Sequence, residues 1–229
     1  MGQAIVFGSV ASAALILGSV IGVRWTLPDH VYAAILAFGA GALTSAFSFE
    51  LLADANQYGG VWYAAFGVLI GSAAFIVLDK QLMNRMRGSA VGFALLAAAV
   101  LDGIPESLAL GVSLVEGTAL ALLVAIFIAN VPEAVGGAAR MRDAGRSAAY
   151  IVGIWTAAAV LITASVVAGR LLLGDAPGNM LAVLLGFAAG AVLAALATSV
   201  FPEAYEHGGP YVAFATVAGF LVSYLLSEA

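Results

Sequence analysis

Apolar residues come in long runs, each separated from the next by a few polar, glycine or proline residues. The runs lie near 4–24, 32–54, 61–83, 90–115, 118–139, 147–172, 179–206 and 210–227. A helix needs about 20 apolar residues to cross the hydrocarbon core of a bilayer, and each run meets that length or nearly so. The breaks carry turn residues: Leu27-Pro28-Asp29-His30, Gln57-Tyr58-Gly59-Gly60, Gly174-Asp175-Ala176-Pro177-Gly178 and Gly208-Gly209-Pro210 among them. Strands of a membrane barrel would instead alternate apolar and polar residues over short segments. The pattern therefore predicts an all-α integral membrane protein of about eight transmembrane helices. No break is long enough to fold alone, so residues 1–229 read as a single transmembrane domain. The first run lacks a basic flank before it and reads as a true span, not a cleaved signal.

Composition agrees with the pattern. Hydrophobic residues make up 63% of the chain and charged residues only 9%, with a mean hydropathy of +1.09; an ordinary soluble domain carries about a quarter charged residues. The 27 glycines suit helices that approach backbone to backbone. The absence of cysteine excludes disulfides and thiolate metal sites. The basic residues set an orientation. Arg24, Lys80, Arg85, Arg87, Arg140, Arg142 and Arg146 all fall in breaks or at run ends on one side, and only Arg170 falls near the other. The excess of positive charge marks the cytoplasmic side, so both termini are expected outside.

The chain also repeats itself. Residues 38–79 align without gaps on 187–228, so that Gly41 meets Gly190, Asp54 meets Glu203, Gly59-Gly60 meets Gly208-Gly209, and Trp62 meets Tyr211. By the orientation above, the two copies cross the membrane in opposite directions, as in many alternating-access transporters. This gives a 3+2+3 arrangement with inverted repeats: one repeat over about 1–84, two central helices over about 90–140, and a second repeat over about 147–229.

The central helices carry the candidate chemistry. Leu101-Asp102-Gly103-Ile104-Pro105-Glu106-Ser107-Leu108 is echoed by Ile128-Ala129-Asn130-Val131-Pro132-Glu133-Ala134-Val135. Asp102 and Glu106 are spaced i, i+4, and Asn130 and Glu133 i, i+3, so each pair shares a helix face. Ionisable groups at membrane depth are costly and mark ion or substrate paths. Each proline also removes a helix hydrogen bond and frees the carbonyl four residues back, here those of Leu101 and Ile128, which could join the ligand set. Oxygen ligands beside prolines on two buried helices suggest a cation site. Asp54 and the deeper Glu50 are expected towards the outer end of the second span, and Glu203 and His207 towards the inner end of the seventh, as entry and exit way-stations. Asp79 reads as a helix-end charge.

With eight spans, outside termini and Pro-Glu motifs in the fourth and fifth, the whole chain resembles the ZIP family of divalent-metal transporters. The family's His-Asn-x-Pro-Glu-Gly motif corresponds to Asp102-Gly103-Ile104-Pro105-Glu106-Ser107, its fifth-span motif to Ala129-Asn130-Val131-Pro132-Glu133, and its seventh-span Pro-Glu-Ala to Pro202-Glu203-Ala204. The departures are chemical: Asp102 stands where the family has His, Gly103 where it has Asn, and no ionisable residue lies between Tyr150 and Arg170 in the sixth span. The chain is thus similar to a divergent member whose remaining ligands are oxygens. The resemblance implies a permease carrying a divalent cation (zinc, manganese, iron(II) or another) towards the cytoplasm through a metal site built on Asp102, Glu106, Asn130 and Glu133, with Glu50, Asp54, Glu203 and His207 along the path.

Carboxylates and amide oxygens favour hard ions, whereas zinc sites more often recruit imidazole or thiolate, which biases the cargo towards harder divalent ions. A proton-coupled carrier of an organic solute on the same scaffold is the alternative, and a non-transporting metal sensor is a third. No phosphate-cradling loop or zinc-hydrolase signature is present, so neither a nucleotide-driven pump nor an enzyme is expected. The expected partners are metal ions, the lipid bilayer and, by resemblance, a second copy in a homodimer. No prosthetic group and no nucleic acid is expected, and the location is a cell membrane of the prokaryotic inner-membrane type.

Overall fold

The computed structural model describes residues 2–86, 91–114, 119–173 and 176–228, and the side chains of all these except 82–86, 91–99, 101 and 102. The described residues form helices joined by short turns, with no strand among them. In chain order the helices are α1 (Gly2–Arg24), α2 (Asp29–Gly59), α3 (Val61–Met86), α4 (Val91–Ser113), α5 (Ala119–Asp143) and α6 (Ala148–Leu173). They are followed by α7 (residues 178–208) and α8 (209–227). Among the described residues, six stretches are long and apolar enough to cross a membrane: α1, α2, Val61–Gln81 of α3, α5, α6, and the 50 residues Gly178–Ser227 that hold α7 and α8 together. The predicted run at 90–115 falls on α4, where part of the side-chain placement lies outside the described residues.

Two glycines define the sharp junctions. Gly60 between α2 and α3 has φ +86°, and Gly209 between α7 and α8 has φ +62°. Such angles lie in the left-handed region that costs side-chain-bearing residues dearly. Both α2 and α7 are interrupted by one π-helical segment, Phe47–Leu51 and Leu196–Val200. The widened turn is closed by the Leu52 N–H donating to the Phe47 carbonyl and by the Phe201 N–H donating to the Leu196 carbonyl. In α7 the turn directly precedes Pro202, which has no N–H to continue the ladder. In α2 the corresponding residue is Ala53, so proline is not the common cause.

Glycine contacts decide which helices run tightly together. A Cβ on Gly41 would meet the Thr216 carbonyl oxygen at 2.0 Å, and one on Gly219 would meet that of Phe38 at 1.9 Å, so α2 and α8 pack backbone to backbone. The same holds between α3 and α7, where Gly190 faces the Val68 carbonyl and Gly71 the Phe187 carbonyl, each at 2.1 Å. Likewise Gly22 of α1 lies on the Val135 carbonyl of α5, and Gly169 of α6 on the Leu108 carbonyl of α4. Packing partners thus correspond when α1 is exchanged with α6, α2 with α7, α3 with α8 and α4 with α5.

The π segments and the junction glycines keep a register of 149 residues, that of the gapless alignment. Beyond the junctions the register slips. Gly71 and Val68 take the places of Gly219 and Thr216, an offset of 148. The gapless alignment over α3 and α8 is therefore corrected by one residue. The cause is local: α8 opens on the tighter 3-10 turn Gly209–Tyr211, which holds Pro210, whereas α3 opens directly as α-helix.

The main core gathers small and aliphatic side chains of α1, α2, α4, α5 and α7, with Phe47, Leu51, Leu110, Leu122 and Ile126 fully buried. A second core surrounds Trp155 of α6, against Leu15, Ala134 and Met141. At the peripheral faces, Trp62, Phe66 and Leu69 of α3 and Phe214, Val217 and Leu225 of α8 are exposed. Apolar surface of this kind is what a helix presents to lipid.

Candidate cation site

A cavity of about 550 Å³ opens between α2, α3, α4, α5 and α7. Its polar lining begins with Glu106 of α4 and Asn130 of α5, which are 3% and 5% exposed. Glu133, half-buried, continues the α5 wall towards Arg140. Opposite, the π segment of α7 contributes Leu196, Thr198, Ser199 and Val200, followed by Glu203. The wide turn thus lies on the lumen, and π turns recur at functional sites. Tyr32 and Leu36 of α2 and Phe75 and Asp79 of α3 complete the wall.

The mouth is held by one polar cluster. The Arg140 guanidinium donates to Glu203 Oε1 in an ion pair whose side chains are 40% and 27% exposed. The Tyr32 hydroxyl donates to the same oxygen at 2.7 Å. Tyr32 reaches it by lying against Gly136, where any Cβ would meet its hydroxyl at 2.3 Å. His207 is exposed outside the lumen; its Nδ1 lies 2.9 Å from the Glu203 carbonyl oxygen and its ring stands edge-on to Tyr32.

The opposite end is closed. Glu50 lies buried within the α2 π segment, and its Oε2 accepts the Leu122 N–H at 3.0 Å, satisfying a donor near the start of α5. Its Oε1 is buried with no hydrogen-bond partner. Asp54, one turn on, is buried as well. Between this end and Asn130 stand Phe47, Leu51, Leu122 and Ile126 of the main core.

The residues singled out from sequence therefore separate into groups. Glu106, Asn130, Glu133 and Glu203 line one cavity; Glu50 and Asp54 lie at the closed end; His207 stands beside the mouth; and the Asp102 side chain lies outside the described residues. Among the described residues no three His, Asp or Glu side chains form a ready-made metal cluster. Asp79, read as a helix-end charge, lines the lumen, because α3 continues past it to Met86. Arg140 and Tyr32 are site residues that the sequence reading missed. A signal for Arg140 was present: 130, 133, 137 and 140 form one stripe at helical spacing.

No protein-family model matches the chain. An Arabidopsis thaliana protein provisionally named as a zinc transporter is 26% identical over 196 residues, which cover 80% of this chain. The matched stretch is 31% of that protein's length, so the chain corresponds to less than a third of it. The apolar helices and this similarity together point to an integral membrane protein.

Proposed function

We propose that the chain is a ZIP-like permease that carries a divalent cation towards the cytoplasm by alternating access. Glu106, Asn130 and Glu133 bind the ion at the inner part of the cavity, with Asp102, one turn before Glu106, as a further ligand. The reading counts eight spans, dividing Gly178–Ser227 at Gly209 and including α4, with both termini outside. What supports the inverted repeat is the exchange of packing partners and the shared position of the π segments and junction glycines. Arg140 and Arg142 stand at the cavity end of α5, and the positive-inside rule makes that side cytoplasmic. The cavity is then an inward-open path, with the outer end sealed by the apolar core around Phe47 and Leu122.

The observation that carries the proposal is the buried, proline-flanked pair of Glu106 and Asn130 on the wall of a cavity that widens to a polar mouth. Burying a carboxylate is costly, and ionisable groups at membrane depth mark ion or substrate paths. The oxygen donor set favours manganese, iron(II) or magnesium over zinc, while the similarity to a protein named as a zinc transporter favours zinc.

The test is uptake of manganese, iron(II), zinc, magnesium and calcium into proteoliposomes by wild type and by Glu106→Gln. One ion entering with wild type and not with the folded variant supports the site and identifies the cargo. No uptake of any of them by folded wild type sinks the reading. The cavity volume also lies in the range of small organic ligands, roughly 300–1,000 Å³. A metal-independent, pH-dependent solute flux would then replace the cation reading.

A further inference from the structure

The two ends of the path differ in charge where the repeat makes them correspond. Glu203 of α7 corresponds to Asp54 of α2 at the 149-residue offset that aligns the two π segments. Glu133 of α5 corresponds to Glu106 of α4 at an offset of 27, the same offset that relates the Val135 and Leu108 carbonyls under Gly22 and Gly169. Carried along the two helices, that offset sets Arg140 against Ser113. The inner carboxylate therefore has a guanidinium on it, and the corresponding position at the outer end has a hydroxyl and no charge. Neither the fold nor the packing requires this difference, since both ends are built on the same backbone plan.

At the inner mouth the consequence is direct. A divalent ion leaving Glu106, Asn130 and Glu133 must pass Glu203, with Asp79 on the facing wall. A bare carboxylate there would retain the ion by Coulomb attraction, which is strong at the low effective dielectric of a partly enclosed lumen. Arg140 already holds its positive charge on Glu203 Oε1, alongside the Tyr32 hydroxyl, and so offsets the pull of that carboxylate on a passing cation. Arginine suits this place because its charge persists at any physiological pH and its planar fork matches a carboxylate.

We propose that Arg140 is a release residue: a tethered cation that holds Glu203 neutralised, so that the inner mouth lets go of the transported ion. This rests on the cavity being the cation path. It assigns to Arg140 a positioning role towards Glu203 and no place among the ligands of the ion.

The experiment is initial-rate uptake of zinc and manganese into proteoliposomes by wild type, Arg140→Gln, Arg140→Lys and the double variant Arg140→Gln/Glu203→Gln. Arg140→Gln should lower Vmax about tenfold without raising KM, because an unneutralised carboxylate slows release and not capture. Arg140→Lys should stay within about threefold of wild type, since it keeps the charge and loses only the fork. The double variant should return to within about threefold of wild type, since the trap is removed together with its neutraliser. Arg140→Gln at wild-type rate, a lysine variant as slow as glutamine, or a double variant no faster than Arg140→Gln would each overturn the proposal while leaving the transport function standing. A folded wild type that moves neither ion overturns both.

Discussion

The backbone contact between α2 and α8 makes a quantitative prediction for Gly219→Ala. The new methyl carbon would stand 1.9 Å from the Phe38 carbonyl oxygen, 2.7 Å from its carbon and 3.0 Å from Phe38 Cα. An ordinary carbon–oxygen contact is about 3.3 Å, so the two helices must part by more than about 1 Å. Phe38 cannot yield alone, because its carbonyl sits inside a continuous α-helix and rotating it aside would break that helix's own ladder. Parting the pair also loosens the Gly41 contact with the Thr216 carbonyl, less than one turn away. Overpacking of a well-fitted contact costs about 1–3 kcal/mol, and the extended contact puts Gly219→Ala at the upper end. Since 1 kcal/mol moves the midpoint of a chain this size by about 2–4 °C, the expected fall is roughly 6–12 °C.

The control is the same chemical change where nothing stands in the way. Gly153 lies exposed within α6, and no atom outside its own turn lies within 4 Å of a Cβ built there. Alanine in a helix interior is better than glycine by about 0.5–1 kcal/mol, so Gly153→Ala should hold or raise the midpoint. Gly71→Ala, whose methyl would meet the Phe187 carbonyl at 2.1 Å, should match Gly219→Ala. The assay is thermal loss of helical circular dichroism for the purified protein in one detergent. Equal midpoints for Gly219→Ala and Gly153→Ala would refute the backbone-contact account, and with it the pairing of α2 with α8.

Two further predictions concern the closed end and the mouth. Glu50→Gln keeps an oxygen for the Leu122 N–H and removes the need to bury a charge, so it should be at least as stable as wild type, whereas Glu50→Ala should cost about 1–3 kcal/mol by orphaning that donor; the same melting assay separates them, and equal melting of the two variants would contradict the hydrogen bond. Tyr32→Phe removes one charge-assisted hydrogen bond from Glu203, of the kind that contributes about 1.5–3 kcal/mol to stability, but leaves the Arg140 charge on the carboxylate. Because the charge stays, uptake should remain closer to wild type than that of Arg140→Gln, and a loss as large as that of Arg140→Gln would show that geometry, not charge, governs the mouth.

The helices were legible because a bilayer imposes one length on every apolar run, and the turns because Gly60 and Gly209 take angles that few other residues accept. The π segments inside α2 and α7 were not legible. A single widened turn leaves the hydrophobic pattern unchanged, and only one of the two is marked by a proline. The one-residue slip between α3 and α8 was hidden for a similar reason: a 3-10 turn uses the same residues as an α turn with a different rise. In the site, Glu106, Asn130 and Glu133 announced themselves through the Pro-Glu spacing. Arg140 did not, because a basic residue near a helix end is accounted for by membrane orientation alone. The partnership of Tyr32 with Glu203 joins positions 171 residues apart, and no local pattern reports such a contact.

The placing of the cavity follows from what the glycines do to α5. Its residues Val131, Ala134, Val135 and Ala138 are spent on α1, where Gly18 and Gly22 admit the α5 backbone to close contact. Gly39 of α2 lies against Ala129 and draws a neighbouring face of the helix onto α2. Asn130, Glu133, Gly137 and Arg140 form the stripe left over, and it is the stripe that faces α7 across the lumen. On the α7 side no glycine closes the gap; the π segment presents Thr198 and Ser199 instead. Tight backbone contacts thus hold Val131, Ala134, Val135 and Ala138 against α1 and Ala129 against α2. The polar face is left as the wall of a space, with bulky or polar side chains holding the two helices apart. A cavity arises here because close packing elsewhere fixes α5 and leaves its polar face without a helix it can approach.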